Sequence, residues 1–98
     1  MDVSLSRENG VLTLSVSGRV DTTTAPELEK VIFDNIEGVS ELILDLKDMP
    51  YTSSAGLRVI LKAQKAMQQQ GKLVIKNVQS DVMEIFEITG FADILDIE

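Results

Sequence analysis

Pro50-Tyr51-Thr52-Ser53-Ser54-Ala55-Gly56-Leu57-Arg58-Val59-Ile60-Leu61 is the stretch that decides the fold, because a strand ends just before it and a long helix begins inside it. Upstream, Leu42-Ile43-Leu44-Asp45-Leu46 is an apolar run of strand length, closed by the polar pair Lys47-Asp48. Downstream, Leu57, Ile60, Leu61 and Met67 recur at helical spacing, with Ala63 and Ala66 beside them. Thr52, Ser53 and Ser54 are small hydroxyl residues standing where a helix takes its N-cap. The first backbone N–H groups of a helix have no partner inside it, and the dipole makes that end weakly positive. Such an end favours anions, so a phosphate on Ser54 would meet a prepared environment. On residue types alone, plain helix capping accounts for the three hydroxyls.

Outward from this stretch, strand and helix signals alternate. Val3 and Leu5, then Val11, Leu12, Leu14 and Val16, follow a period of two. Asn9-Gly10 between them predicts a two-residue hairpin, since both tolerate the positive φ of a type I′ turn. Gly18-Arg19-Val20-Asp21 closes the second strand. Thr24 is then the expected cap of a first helix, with Pro26 and Glu27 in its first turn, Leu28, Val31, Ile32 and Ile36 on its buried face, Phe33 beside that face, and Gly38 as its stop. Glu41 to Leu46 is the third strand and Ser54 to Gln70 the second helix, ended by Gly71. Lys72 to Lys76 is a fourth strand. Ser80 caps a third helix with Val82, Ile85 and Phe86 on one face and Gly90 as its stop, and Ile94-Leu95 makes a short last strand. Strands alternating with helices imply right-handed βαβ crossovers. The expected fold is therefore α/β: a mostly parallel sheet with an N-terminal antiparallel hairpin and about three helices, residues 1–98 forming a single domain.

Composition narrows the chemistry. The chain has neither cysteine nor histidine, so thiolate sites, disulfides and imidazole bases are all excluded. Its formal net charge of −7 argues against nucleic acid, whose phosphates need a basic surface. No run approaches a membrane span, and the N-terminus is unlike a signal peptide, so a cytoplasmic location is expected. Charge is unevenly placed. Between Met49 and Ser80 the only charged residues are Arg58, Lys62, Lys65, Lys72 and Lys76; from Asp81 onward all six are acidic. Two oppositely charged surfaces favour oriented docking on a partner, although a solvated helix face and an acidic tail give the same pattern.

In open α/β sheets, sites gather beyond the carboxyl ends of the strands. The turn holding Asp21 and Thr22 and the turn running from Tyr51 to Ser54 should therefore be neighbours. Asp21 either caps its own turn or offers its charge to a partner. Ser54 has no histidine or evident lysine to activate it, and no glycine-rich phosphate loop is present, so no enzyme is expected. Asp45 and Asp48 are too few for a magnesium site, and neither metal nor cofactor is expected.

The central stretch resembles the signature of the STAS family, in particular the small anti-sigma factor antagonists of bacteria: an aromatic, then Asp-Ser-Ser/Thr-Gly-Leu-Gly opening a helix. Tyr51 matches the aromatic, Ser54 the phosphorylated serine, and Gly56-Leu57 the Gly-Leu pair. Ser53 stands where the family often has Asp, Ala55 replaces the second hydroxyl residue, and Arg58 replaces the second glycine. Gly18-Arg19-Val20-Asp21 and Ile85-Phe86-Glu87-Ile88-Thr89-Gly90-Phe91 are similar to two further family motifs, so the likeness runs along the whole chain. It implies a SpoIIAA-like STAS fold and a phosphorylation switch at Ser54. The partner surface would comprise Asp21, Thr22, Ser53, Ser54, Gly56 and Arg58. The implied partners are an anti-sigma factor that is often a serine kinase and a serine phosphatase that resets the switch, with the protein monomeric when free. Two alternatives remain: a STAS scaffold subunit of a stress-signalling or lipid-transport assembly, and a small anion- or nucleotide-binding module.

Overall fold

The structure, a computed structural model, describes residues 1–98. Asn9 and Gly10 take φ of 51° and 80°, the doubly left-handed geometry of a type I′ turn, and join β1 (Asp2–Glu8) to β2 (Val11–Ser17). The remaining elements are α1 (Ala25–Asn35), β3 (Glu41–Asp48), α2 (Ser54–Gln68), β4 (Lys72–Lys76), α3 (Ser80–Thr89), a 3₁₀ turn (Phe91–Asp93) and β5 (Asp96–Ile97). They build one five-stranded sheet in the order β1-β2-β3-β4-β5. The β1–β2 pair is antiparallel and every other pair is parallel.

Because strand order follows chain order, right-handed crossovers put all three helices on one face. Burial agrees. Leu12, Leu14 and Val16 of β2, Leu42, Leu44 and Leu46 of β3, and Leu73 and Ile75 of β4 are at most 2% exposed. They share one cluster with Leu28 and Ile32 of α1, Leu57, Ile60, Ala63 and Met67 of α2, and Val82 and Phe86 of α3. Each fully buried large side chain contributes roughly 1.5–3 kcal/mol, so this single cluster carries most of the fold. The alternate residues Thr13, Ser15, Ile43 and Asp45 lie on the open face and are half-buried.

Several boundaries depart from the sequence expectation, each for a tertiary reason. α1 ends at Asn35, with Ile36 as its C-cap, and Gly38 sits in the turn that follows. α2 stops at Gln68, because the Gln70 side chain donates to the carbonyls of Ile36 and Val39 at 2.7 and 2.6 Å and draws the chain aside. β3 runs on to Asp48, which pairs with Ser17 across a bulge and accepts the Gly18 N–H at 2.9 Å. Ser80 is the first residue of α3 rather than its cap; Gln79 holds the cap position, its amide anchored on the Lys47 carbonyl at 2.8 Å. Residues 91–95 are spent on the 3₁₀ turn and on burying Leu95, so the last strand is Asp96–Ile97 instead of Ile94-Leu95. Leu61 and Ile85 are only half-buried, while Val59, absent from the expected apolar face, is 4% exposed.

A rim of two turns and the cleft beside it

Where β2 and β3 end, the two turns are laced into one more rung of the sheet. The Val20 N–H donates to the Tyr51 carbonyl at 3.0 Å, and the Ser53 N–H donates to the Val20 carbonyl at 2.8 Å. Val20 and Thr52 thus form an isolated parallel bridge. Asp21 follows this bridge directly on one turn, and Ser54 lies two residues beyond it on the other, so the two turns are neighbours at the carboxyl edge of the sheet. The Arg19 guanidinium lies 4.1 Å from the centroid of the Tyr51 ring, a second tie between the turns, of a kind that contributes about 0.5–1 kcal/mol at exposed sites.

Asp21 organises its turn. Its Oδ1 accepts the N–H groups of Thr23 and Thr24 at 3.0 and 3.1 Å and the Thr23 hydroxyl at 2.7 Å, while its main-chain carbonyl accepts the Ala25 N–H at 2.8 Å. These bonds, the Thr23 hydroxyl foremost, favour the ionised form and hold the Asp21 carboxyl below the usual carboxylate range. The expected cap, Thr24, occupies the cap position in a helical conformation (φ −100°, ψ −22°) and makes no side-chain cap bond. Its hydroxyl instead accepts the Asp21 N–H at 2.8 Å and lies 3.1 Å from the Arg19 carbonyl. The entrance to α1 is therefore secured by Asp21.

The three hydroxyl residues before α2 have unequal fates. Thr52 is 3% exposed and its hydroxyl points back at the Ser53 carbonyl, 3.2 Å away. Ser53 holds the N-cap position with extended backbone, yet makes no cap bond, and its Oγ is buried without a partner. Ser54, the first residue of α2, is exposed. Gly56 is buried, and a Cβ there would stand 2.1 Å from Thr52 Oγ1 and 2.8 Å from Val20 Cγ1. What Gly56 supplies is the close approach of α2 to the bridge; it presents no surface to a partner.

Between α1 and α2 lies a cleft of about 490 Å³. Ala25, Pro26, Ala55 and Val59 give it an apolar wall, and Thr22 and Arg58 stand at its edge. Across it Lys62 reaches Glu29 at 3.1 Å, and the same ammonium lies 6.0 Å from the Phe33 ring centroid. Sequence reasoning missed this pair, since no local pattern links residues on two different helices. Asp45 and Asp48 line one small pocket on the open face with Ser15, Ser17 and Lys47, where Asp45 accepts the Lys47 N–H at 3.0 Å and the Asn77 amide at 3.1 Å and the Asp48 main-chain carbonyl accepts the Gly18 N–H.

A five-stranded sheet with one antiparallel edge, helices on one face and a serine at the head of α2 define a STAS domain. The family profile described as STAS domain matches residues 2–98, and the chain belongs to that family. Among its relatives, BtrV of Bordetella bronchiseptica, named as a candidate anti-sigma factor antagonist, is 35% identical over 99% of this chain and 85% of its own. The anti-sigma-B factor antagonist of Bacillus subtilis is 30% identical over 99% of this chain and 90% of its own. The crystal structure of an anti-sigma factor antagonist from Mycobacterium paratuberculosis superposes with a TM-score of 0.89, covering 98% of this chain and 83% of that one at 22% identity, which attests the shared fold.

Proposed function

We propose that this protein is an anti-sigma factor antagonist switched by phosphorylation of Ser54. Unphosphorylated, it binds an anti-sigma factor at the rim formed by Asp21, Thr22, Ser53 and Ser54 together with Arg58, and so frees a sigma factor. A kinase, in such systems often the anti-sigma factor itself, adds phosphate to Ser54, and a serine phosphatase removes it. The rim is a binding surface and the protein is no enzyme; ATP and magnesium belong to the kinase. In this reading it acts in the cytoplasm and is monomeric when free; no helix is long and apolar enough to cross a membrane.

The observation that carries this reading is the unequal exposure of the three hydroxyls: Ser54 alone is open to an incoming kinase, whereas the Thr52 residue and the Ser53 hydroxyl are buried. A phosphate there brings about −1.5 to −2 charges and three acceptor oxygens into the docking surface, enough to weaken a complementary interface. The test is incubation with the host's anti-sigma factor kinase and ATP, followed by intact mass and peptide mapping, with binding measured before and after. One phosphate on Ser54 and weakened binding are expected, with Ser54→Ala binding constitutively. Phosphate confined to Thr52 or Ser53 sinks the assignment. Binding with no modification at all supports a scaffold subunit instead.

A further inference from the structure

We infer that Arg58 is the internal receptor of a phosphate carried on Ser54, an inference that rests on the phosphorylation switch proposed above. Ser54 opens α2 and Arg58 follows it by four residues, so their side chains are neighbours on one helix face, with Cβ atoms roughly 5–6 Å apart. Helical side chains lean toward the N-terminus, which carries the guanidinium from Arg58 back toward Ser54. Both residues are exposed, so neither must leave a packed position to meet.

Elimination points to the same residue. Lys62, the next cation along α2, is engaged by Glu29 at 3.1 Å. Arg19, the cation on the neighbouring turn, is stacked on Tyr51. Lys65 lies almost two turns of helix beyond Arg58. Arg58 makes no salt bridge and no side-chain hydrogen bond, which leaves it the one unengaged cation within a turn of Ser54. A planar guanidinium can hold two phosphate oxygens at once, and such charge-assisted pairs are stronger than neutral ones. Phosphate in this position is partly neutralised in cis, keeps a net negative charge of about −0.5 to −1, and draws Arg58 away from the cleft. The switch then acts twice, by adding negative charge to the rim and by withdrawing a positive one from the α1–α2 cleft.

The experiment encodes phosphoserine directly at position 54, so that no kinase is needed, and follows the phosphate by ³¹P NMR across its second ionisation near pH 6. The charged groups facing it are Arg58, Lys62 and Glu29 around the cleft, and Asp21 and Arg19 on the adjacent turn; a comparison between variants of the same chain holds all but one constant. With Arg58 present the second ionisation should fall roughly 0.3 pH unit lower than in Arg58→Gln, the shift corresponding to an exposed i,i+4 ion pair. Arg58→Lys should recover part of the shift, Lys62→Gln should leave it in place, and 1 M salt should shrink it. Equal titration of the Arg58 and Arg58→Gln chains, or loss of the shift only with Lys62→Gln, overturns the inference. Failure of the kinase to modify Ser54 defeats the proposed switch but leaves this shift intact, so the two ideas fail separately.

Discussion

Gly56→Ala tests how the site is held. One methyl group is added at a residue buried in the first turn of α2, where its Cβ meets Thr52 Oγ1 at 2.1 Å and Val20 Cγ1 at 2.8 Å. Neither neighbour can swing away into solvent, because Val20 is 0% and Thr52 3% exposed and their backbones form the bridge that joins the two turns. Overpacking of this kind costs about 1–3 kcal/mol. Alanine regains up to about 1 kcal/mol of helix propensity over glycine, less in a first turn than mid-helix. The net expectation is a loss of about 1–2 kcal/mol, which for a chain of this size lowers Tm by roughly 5–15 °C. Urea denaturation followed by circular dichroism is the assay, with an unchanged m value showing that folded and unfolded states keep their extent. Adding Thr52→Ala removes the nearer obstacle, so the double variant should be more stable than the sum of the two single losses by about 1 kcal/mol. A Gly56→Ala protein as stable as the parent, or additive behaviour in the double variant, refutes the close-approach explanation.

Asp21→Ala should lower Tm by a few degrees at neutral pH through loss of the turn that opens α1. Because the Asp21 carboxyl is held below its ordinary value of about 3.9, its stabilisation is complete above that value and fades as pH falls through the lower folded-state value; parent and variant should converge in acid, and a gap that persists there contradicts the sign. Lys62→Met breaks an exposed interhelical pair, so chemical denaturation should show a change of less than about 1 kcal/mol, smaller still in high salt. Phe86→Ala, at the centre of the α3 contact and 0% exposed, should cost about 3–5 kcal/mol, and a loss below 1 kcal/mol would mean that α3 is not anchored there.

The elements that sequence made legible are those with short-range causes. Asn9-Gly10 dictates its turn by backbone conformation alone, alternation in β2 follows from a sheet covered on one side, and β3 shows as an apolar run of strand length. Gly90 stops α3 as foreseen, and does so in the left-handed conformation (φ 83°). What escaped depends on distant partners. Thr24 and Ser80 have the chemistry of caps, but the Asp21 turn and the Gln79–Lys47 contact set those helix entrances. Gln70 looks helical by composition and is drawn off by carbonyls more than thirty residues away. At the site, the adjacency of the two turns, seen in the Val20–Thr52 bridge, was deducible from parallel strand order. The burial of Gly56 and of the Ser53 hydroxyl was not, since both depend on how closely α2 seats on the Val20–Thr52 bridge. The Glu29–Lys62 pair was hidden for the same reason.

Strand order that repeats chain order also governs how the molecule is assembled. Each strand pairs with the one made immediately before it, so no ribbon must wait for a distant segment to arrive. The hairpin closes through two residues, and each later strand is separated from its partner by a single crossover, of 23 residues before β3, 23 before β4 and 19 before β5. Loop-closure entropy grows only slowly with length, so these steps impose similar penalties and none dominates. A chain emerging from the ribosome can therefore add β3, β4 and β5 in turn to an edge already formed. The last two-residue strand completes the side of the sheet opposite the hairpin, and full cooperativity awaits residues 95–97, where Leu95 enters the core.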